Sequence, residues 1–520
     1  MAFRDLNFGT LDARDMISRR NPQSSKEFID NYLPPPQIKI ADYKTGDKYF
    51  LLGKRGSGKT ALLCYLNETL NPKLHSSDFL IFKDLSNAEL ERLASASTQF
   101  FDVEQVDQPR IEKAGSDLAY AWMVFLLRRL SGSMQRHGNV CANDSAFERF
   151  SKACNAPFEA QSFGALLGAW FRSLLGGKIR IGPEWLKHEA DLAALGKSNL
   201  DPSEEVETAR WVEKIIALLE DLNFKPNTAA YLFVDELNLE FGDSAQRERD
   251  VRLIRDLIEA VERLNRLFDA ARKPIFVICS VRSEVLEAVG FNSGELNKSI
   301  HSRGDEIRWT RRTPRDAFRD SAFINYLNKK LATLDPDPSI PESRRVEALF
   351  RDFSENRPYG KMPAEYLYTH TWARPRDLVV FFEACKRKLP NSTHIGRNAL
   401  KSILEDCQSE YWKERHQELI LLMTEEEIDG TKKVLGNLKR RFKPDEFESA
   451  CNSLRDANTG LARLLKRKPP SEILRDLYNA SIIGRIERET YYWSYEGHDF
   501  ERSGEYAVHA GLIHELGVRK

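Results

Sequence analysis

Apolar residues change their spacing along this chain, and the changes mark its parts. Tyr49–Leu52 is a short continuous apolar run that ends on glycine. Thr60–Leu70 then returns an apolar residue every three or four positions, so a strand followed by a helix is expected. Further apolar runs at Phe79–Phe82, Tyr231–Val234 and Ile275–Cys279 predict strands, with a short one at Glu306–Trp309. Helical spacing is expected around Ala88–Leu93, Asp117–Leu130, Phe163–Leu175, Val206–Leu222 and Gln246–Ala271, and Lys178–Ile181 is strand-like. Alternating strands and helices imply an α/β fold whose parallel sheet is covered on both faces.

Past residue 313 the pattern turns helical. Helices are expected near 317–333, 375–388, 396–426 and 444–466, then over Ser471–Ile483. Glu489–Tyr495 and Glu505–Val508 read as two strands around a Gly497–Gly504 turn. Helices followed by such a ribbon outline a winged helix. The divisions expected are a lead-in over 1–47, an α/β core over 48–312 with a helical insertion at about 105–225, a helical lid over 313–430, and a winged-helix-like α+β domain over 431–520. Pro34-Pro35-Pro36 and Gly46-Asp47 close the lead-in.

Composition narrows the class. At 520 residues the chain exceeds one ordinary core. Lys and Arg number 78, as do Asp and Glu, so net charge offers no argument for nucleic acid. Seven scattered cysteines form no C-x-x-C pair, which favours a reducing cytoplasm over a disulfide or zinc scaffold. The N-terminal residues carry no apolar signal core. Leu118–Leu127 is too short to span a bilayer and ends at Arg128 and Arg129, so a soluble protein without a membrane segment is expected.

The chemistry concentrates at Gly53-Lys54-Arg55-Gly56-Ser57-Gly58-Lys59-Thr60, which satisfies G-x-x-x-x-G-K-[ST] between an apolar strand and an amphipathic helix. Glycines let successive N–H groups point at phosphate oxygens, and the helix beginning here, with Ala61 in its first turn, adds its positive end. Lys59 is expected to reach the β- and γ-phosphates and the Thr60 hydroxyl to ligate Mg²⁺. Tyr231–Glu236 is an apolar strand ending in two carboxylates: Asp235 suits the metal, and Glu236 suits the orientation of an attacking water. A strand ending in a solvated acidic turn is the plain alternative, but it is improbable downstream of an intact phosphate loop.

This pair of motifs resembles the additional-strand P-loop ATPases, which include the AAA+ and STAND groups. The likeness covers about residues 28–390. In those families a further strand separates the two motifs and ends in a polar sensor of the γ-phosphate. Ile275–Arg282 is similar, with Ser280 or Arg282 in that position. The chain looks nearest to orphan bacterial ATPases associated with antiphage defence, through Phe8-Gly9, Asp12-Ala13, the loop itself and Ala373-Arg374-Pro375-Arg376-Asp377-Leu378. The resemblance implies ATP with Mg²⁺, hydrolysis to ADP and phosphate, a lid in which Arg374 and Arg376 sense the γ-phosphate, and a C-terminal winged helix. It also implies a nucleotide-dependent switch that self-associates in its ATP state and controls a protein effector. Arg303, Arg308, Arg311 and Arg312 are candidates for contact across a subunit boundary.

The alternative is a DNA-binding motor or loader that uses residues 431–520. Lys432, Lys433, Lys439, Arg440, Arg441, Lys443, Lys466, Arg467 and Lys468 precede Tyr491, Tyr492, Trp493 and Tyr495. Charge runs are more often solvated faces, and six carboxylates between Glu487 and Glu505 interrupt the proposed wing, so a protein partner is expected ahead of DNA. His509 and His514 are expected to be surface or packing residues.

Overall fold

In the computed structural model, which describes residues 1–17, 21–81, 108–138, 140–155, 215–237, 244–283, 285–286, 294–311, 313, 317–350, 363–420 and 422–519, the chain forms two compact units. One comprises residues 38–53 and 62–306, the other 1–37, 54–61 and 307–520. The helices expected at Ala88–Leu93 and Phe163–Leu175, the strand at Lys178–Ile181, the first part of Val206–Leu222, and Arg312 lie outside the described residues.

The first unit is built on a five-stranded, all-parallel sheet. Its strands are Phe50–Gly53 (β1), His75–Ile81 (β2), Ala229–Asp235 (β3), Ile275–Arg282 (β4) and Gly304–Glu306 (β5). Their order is β2-β3-β4-β1-β5. Every residue of β1 and β3 is buried, which is why both read as unbroken apolar runs rather than alternating ones. One face packs against helices Gln108–His137 (α1) and Ser244–Ala270 (α2), where Trp122, Leu126, Leu257 and Val261 share a core with Leu232, Val234 and Val277. Each such side chain stabilises by roughly 1.5–3 kcal/mol on burial.

Two details explain why the strand boundaries differ from the apolar runs. β2 begins at His75, four residues before Phe79, although Ser76, Ser77 and Asp78 are polar. It is an edge strand, and α1 answers its free side: Arg129 donates to Phe79 O at 3.0 Å and Ser133 to Ser77 O at 3.1 Å. Arg129 and Arg136 also pair with Asp78 at 3.0 and 3.3 Å. β5 runs over Gly304–Glu306 rather than Glu306–Trp309: it pairs with β1 from Phe50 to Leu52, and at Gly304 a Cβ would press on the backbone of Ile300 and Phe50. On α2, Asn265 exchanges both hydrogen bonds with the Val277 backbone, at 2.9 and 3.0 Å. It thereby serves β4 ahead of the register where β1 begins, opposite Cys279.

The second unit is mainly helical and ends in a small antiparallel sheet. Helices Pro375–Lys388 (α3), Arg397–Leu419 (α4), Glu425–Asn437 (α5), Pro444–Leu454 (α6), Thr459–Arg467 (α7) and Pro470–Asn479 (α8) follow one another. The expected helix over 396–426 is thus cut at Leu419, and that over 444–466 is two helices. Local capping makes both breaks: Thr424 Oγ1 accepts from Glu427 N while Glu427 accepts from Thr424 N, and Asn458 Oδ1 accepts from Leu461 N. Residues 1–37 of the expected lead-in belong to this unit and 38–47 to the first; the Phe8 ring is stacked on Phe382 of α3 at 3.5 Å between centroids.

The terminal ribbon differs from expectation. Arg441–Phe442 (β6), Ile483–Glu487 (β7), Thr490–Tyr492 (β8) and Glu505–Val508 (β9) form a sheet of order β6-β9-β7-β8. The two predicted strands do not pair with each other; both flank β7. β7 is hidden in sequence because its apolar start runs on from the helical spacing of α8. The β7–β8 hairpin turns on Arg488 and Glu489, both at positive φ (48° and 66°), without the glycine or asparagine that usually marks such a turn.

Candidate functional site

The parallel sheet brings the ends of β1, β3 and β4 to one edge. Asp235, the last residue of β3, is buried; its Oδ1 accepts a hydrogen bond from Ser280 Oγ on β4. Its Oδ2 is buried with no hydrogen-bond partner among the described residues. A buried carboxylate oxygen left unmet is costly, so it marks a position suited to a cation or donor. Glu236 follows at φ +52°, a left-handed backbone that costs a residue bearing a Cβ about 1 kcal/mol or more. Arg282 ends β4 directly opposite Gly53 in register, and the chain leaves β1 there into the glycine loop.

The loop residues, in the second unit, run from Lys54 into the helix Lys59–Glu68. Gly56 and Gly58 have φ of +76° and +99°, and a Cβ on Gly58 would meet nothing within 4 Å. Those angles favour glycine and leave the backbone open to a close ligand. Ser57 is buried; its N–H donates to Lys54 O at 3.2 Å and its carbonyl accepts from Trp309 Nε1 at 2.8 Å. Lys59 is buried too, with Nζ donating across the loop to Lys54 O at 3.1 Å. Thr60 and Ala61 are half-buried, and Lys54 Nζ donates to Ser494 Oγ at 3.1 Å.

Arg374 and Arg376 come to this loop. Pro375 opens α3, and Asp377 Oδ2 accepts from Trp372 N and Arg374 N at 2.8 and 3.2 Å, which fixes the helix start and both arginines on it. Arg374 is buried; it donates to Arg55 O at 2.8 Å and pairs with Asp377 at 2.9 Å. Burial opposes its charge, but Asp377 and Glu414 outweigh that and raise its pKa. Arg376 donates to Leu11 O at 3.1 Å and pairs with Glu414 at 3.0 Å.

Glu414 of α4 was not singled out by sequence. Arg55, Arg374 and Arg376 stand at 3.4, 4.0 and 3.0 Å from its carboxylate. Burial alone would raise its pKa, yet Arg376, Arg374 and Arg55 hold it down at about 2. Among Glu410, Lys413, Arg415 and Glu418 it looks like one more charge on a solvated helix, so no local signal could have found it.

The remaining candidates fare differently. Arg311 is only 7% exposed and pairs with Glu496 at 3.0 Å, with Tyr368 also donating to Glu496 at 2.8 Å. It is therefore tied up inside its own unit and does not suit a contact across a subunit boundary. Arg303 and Arg308 are exposed. In the basic stretch, Lys432, Lys433, Arg441, Arg467 and Lys468 all pair with carboxylates, at 2.6–2.8 Å. Trp493 is buried, stacked with Tyr491 and Tyr495. His509 is buried against Trp372 at 4.0 Å, a packing residue, and His514 is exposed. All seven cysteines are buried and outside disulfides.

In one unit Asp235 offers an unmet carboxylate oxygen; in the other Thr60 offers a hydroxyl and the loop is bent by Gly56 and Gly58 next to a buried lysine. Comparison of the chain with models of protein families, with curated proteins and with solved structures finds no match. Among the described residues, no helix is long and apolar enough to cross a membrane.

Proposed function

We propose that this chain is a P-loop ATPase of the additional-strand type, with a helical lid and a winged-helix-like C-terminal region, that hydrolyses ATP to ADP and phosphate. The observation that carries the reading is the strand order. β4 lies between β1, which leads into the glycine loop, and β3, which ends in Asp235 and Glu236, and its Ser280 is hydrogen-bonded to Asp235.

Roles follow residue by residue. Backbone N–H groups from Gly53 to Ala61 bind phosphate oxygens, and Lys59 supplies the cation for the β- and γ-phosphates. Thr60 and Asp235 would each offer an oxygen to Mg²⁺, a cation that would offset charge on the phosphate oxygens. Glu236 orients and polarises water. Arg282, Arg374 and Arg376 serve the γ-phosphate, since planar guanidinium groups grip two oxygens and stay charged. Lys59→Ala should abolish ATP binding, measured by calorimetry. Glu236→Gln should still bind ATP and turn over slowly; wild-type turnover in that variant would remove Glu236 from its role.

The hydrolytic cycle serves a nucleotide-dependent switch that self-associates with ATP and engages a protein effector, as in antiphage defence. The carboxylate pairing of the C-terminal basic residues favours a protein partner over the DNA-binding motor. Light scattering that shows a monomer with and without ATP, at full activity, would sink the self-association.

A further inference from the structure

We propose that Glu414 is an internal counter-anion for the phosphate loop, holding Arg55, Arg374 and Arg376 until a nucleotide phosphate takes its place. The inference rests on the ATPase reading and adds a residue that sets nucleotide affinity by positioning others.

Four observations carry it. Glu414 faces a residue of the glycine loop itself, Arg55, as well as both arginines at the start of α3. Those arginines crowd the loop: a Cβ on Gly56 would lie 3.2 Å from Arg376 Cβ and 3.7 Å from Arg374 Cζ. Arg55 and Arg376 each form an ion pair with Glu414, while Arg374 pairs more closely with Asp377. Finally, Glu414 Oε2 is buried and accepts no hydrogen bond of good geometry. Only Oε1 takes a short hydrogen bond, from Arg376 at 3.0 Å; towards Arg55 and Arg374 the carboxylate is held by charge at 3.4 and 4.0 Å, which is an arrangement a stronger anion can displace.

The chemistry of exchange is direct. A carboxylate and a terminal phosphate present the same planar fork of donors with anionic oxygens, and phosphate carries the greater charge. While Glu414 occupies the arginines, binding energy from a phosphate is spent partly on displacing it. By reciprocity, a nucleotide that competes with Glu414 must loosen the contact between loop and α4 by the same factor.

The test measures binding of the unhydrolysed analogue AMP-PNP with Mg²⁺ to the full chain by calorimetry, in wild type, Glu414→Gln and Lys59→Ala. Glu414→Gln should bind about tenfold tighter, within the usual range of such couplings. Adding Arg55→Gln should shrink that gain, since one of the released arginines is then missing. Hydrogen exchange of the wild type supplies a readout that does not depend on the variant folding: amides around Glu414 should exchange faster once AMP-PNP is bound. Equal or weaker binding by a folded Glu414→Gln, or slower exchange around Glu414, overturns the inference. If Lys59→Ala abolishes binding in the same experiment, the ATPase reading survives that failure. If wild type binds no nucleotide, both fall.

Discussion

Two carboxylates, one in each unit, are treated in different ways by the fold. Asp235 sits at the end of a central strand with one oxygen satisfied by Ser280 and the other buried and unmet. Glu414 sits on a helix with three guanidinium groups around it and a pKa pulled down to about 2. A folded chain tolerates an unmet buried oxygen only where something outside the chain completes it or where strain is kept for a purpose. Glu414 Oε2 also accepts no hydrogen bond, but the charge of that carboxylate is offset from within by three arginines. The difference separates a group waiting for a ligand from a group that organises the residues around it, and it gives the two sites different expected responses to mutation.

The sharpest way to break the comparison is Asp235→Asn. Hydrolysis should fall on the order of 10²-fold or more, because a ligand to the metal on the transferring phosphoryl group is lost. Stability should hold or rise, since the amide removes a buried charge that no described cation offsets. Paired ATPase assays and thermal melts check this; a melting point several degrees lower would place Asp235 with Glu414 instead.

Arg374→Met probes the other side. It leaves Asp377 buried and uncompensated, so unfolding should cost about 3–5 kcal/mol less, measured by urea denaturation. A cost below about 1 kcal/mol would show that the cluster around Glu414 is not completed from within.

The smallest of the three effects is on acid stability. Glu414 has its folded pKa depressed from 4.5 to about 2, so its stabilisation is fully present above pH 4.5 and is lost as pH falls towards 2. The shift corresponds to about 3 kcal/mol at most, before screening of a group that keeps some exposure. Glu414→Gln should flatten that part of the stability profile between pH 5 and 3. An unchanged slope would mean that the arginines do not hold the native carboxylate.

Much of the α/β unit was legible from residues alone. β1, β3 and β4 are buried on both faces, so their sequences are continuous apolar runs that few other elements imitate. α2 and α3 fall within two residues of the helical spacing expected for them. The helix breaks before Thr424 and Asn458 escaped although their caps are local, and the rest of what escaped depended on a partner distant in sequence. The polar half of β2 is a strand because α1 satisfies its edge, and β7 is a strand because β8 and β9 flank it. Arg311 read as an available cation until Glu496, far along the chain, was found against it.

The sequence by itself determined the local chemistry: a glycine loop ahead of a helix, an acidic pair ending an apolar strand, and a helix start marked by Pro375. These follow from backbone angles, hydrogen-bonding capacity and side-chain periodicity within a few residues. The tertiary structure alone decided that the two terminal strands flank β7, that Asp235 keeps one oxygen unmet, and that Glu414 gathers three arginines around the loop. Strand order and ion pairing join residues tens to hundreds of positions apart, and nothing in the local pattern of a charged helix says which cations the fold will bring to it.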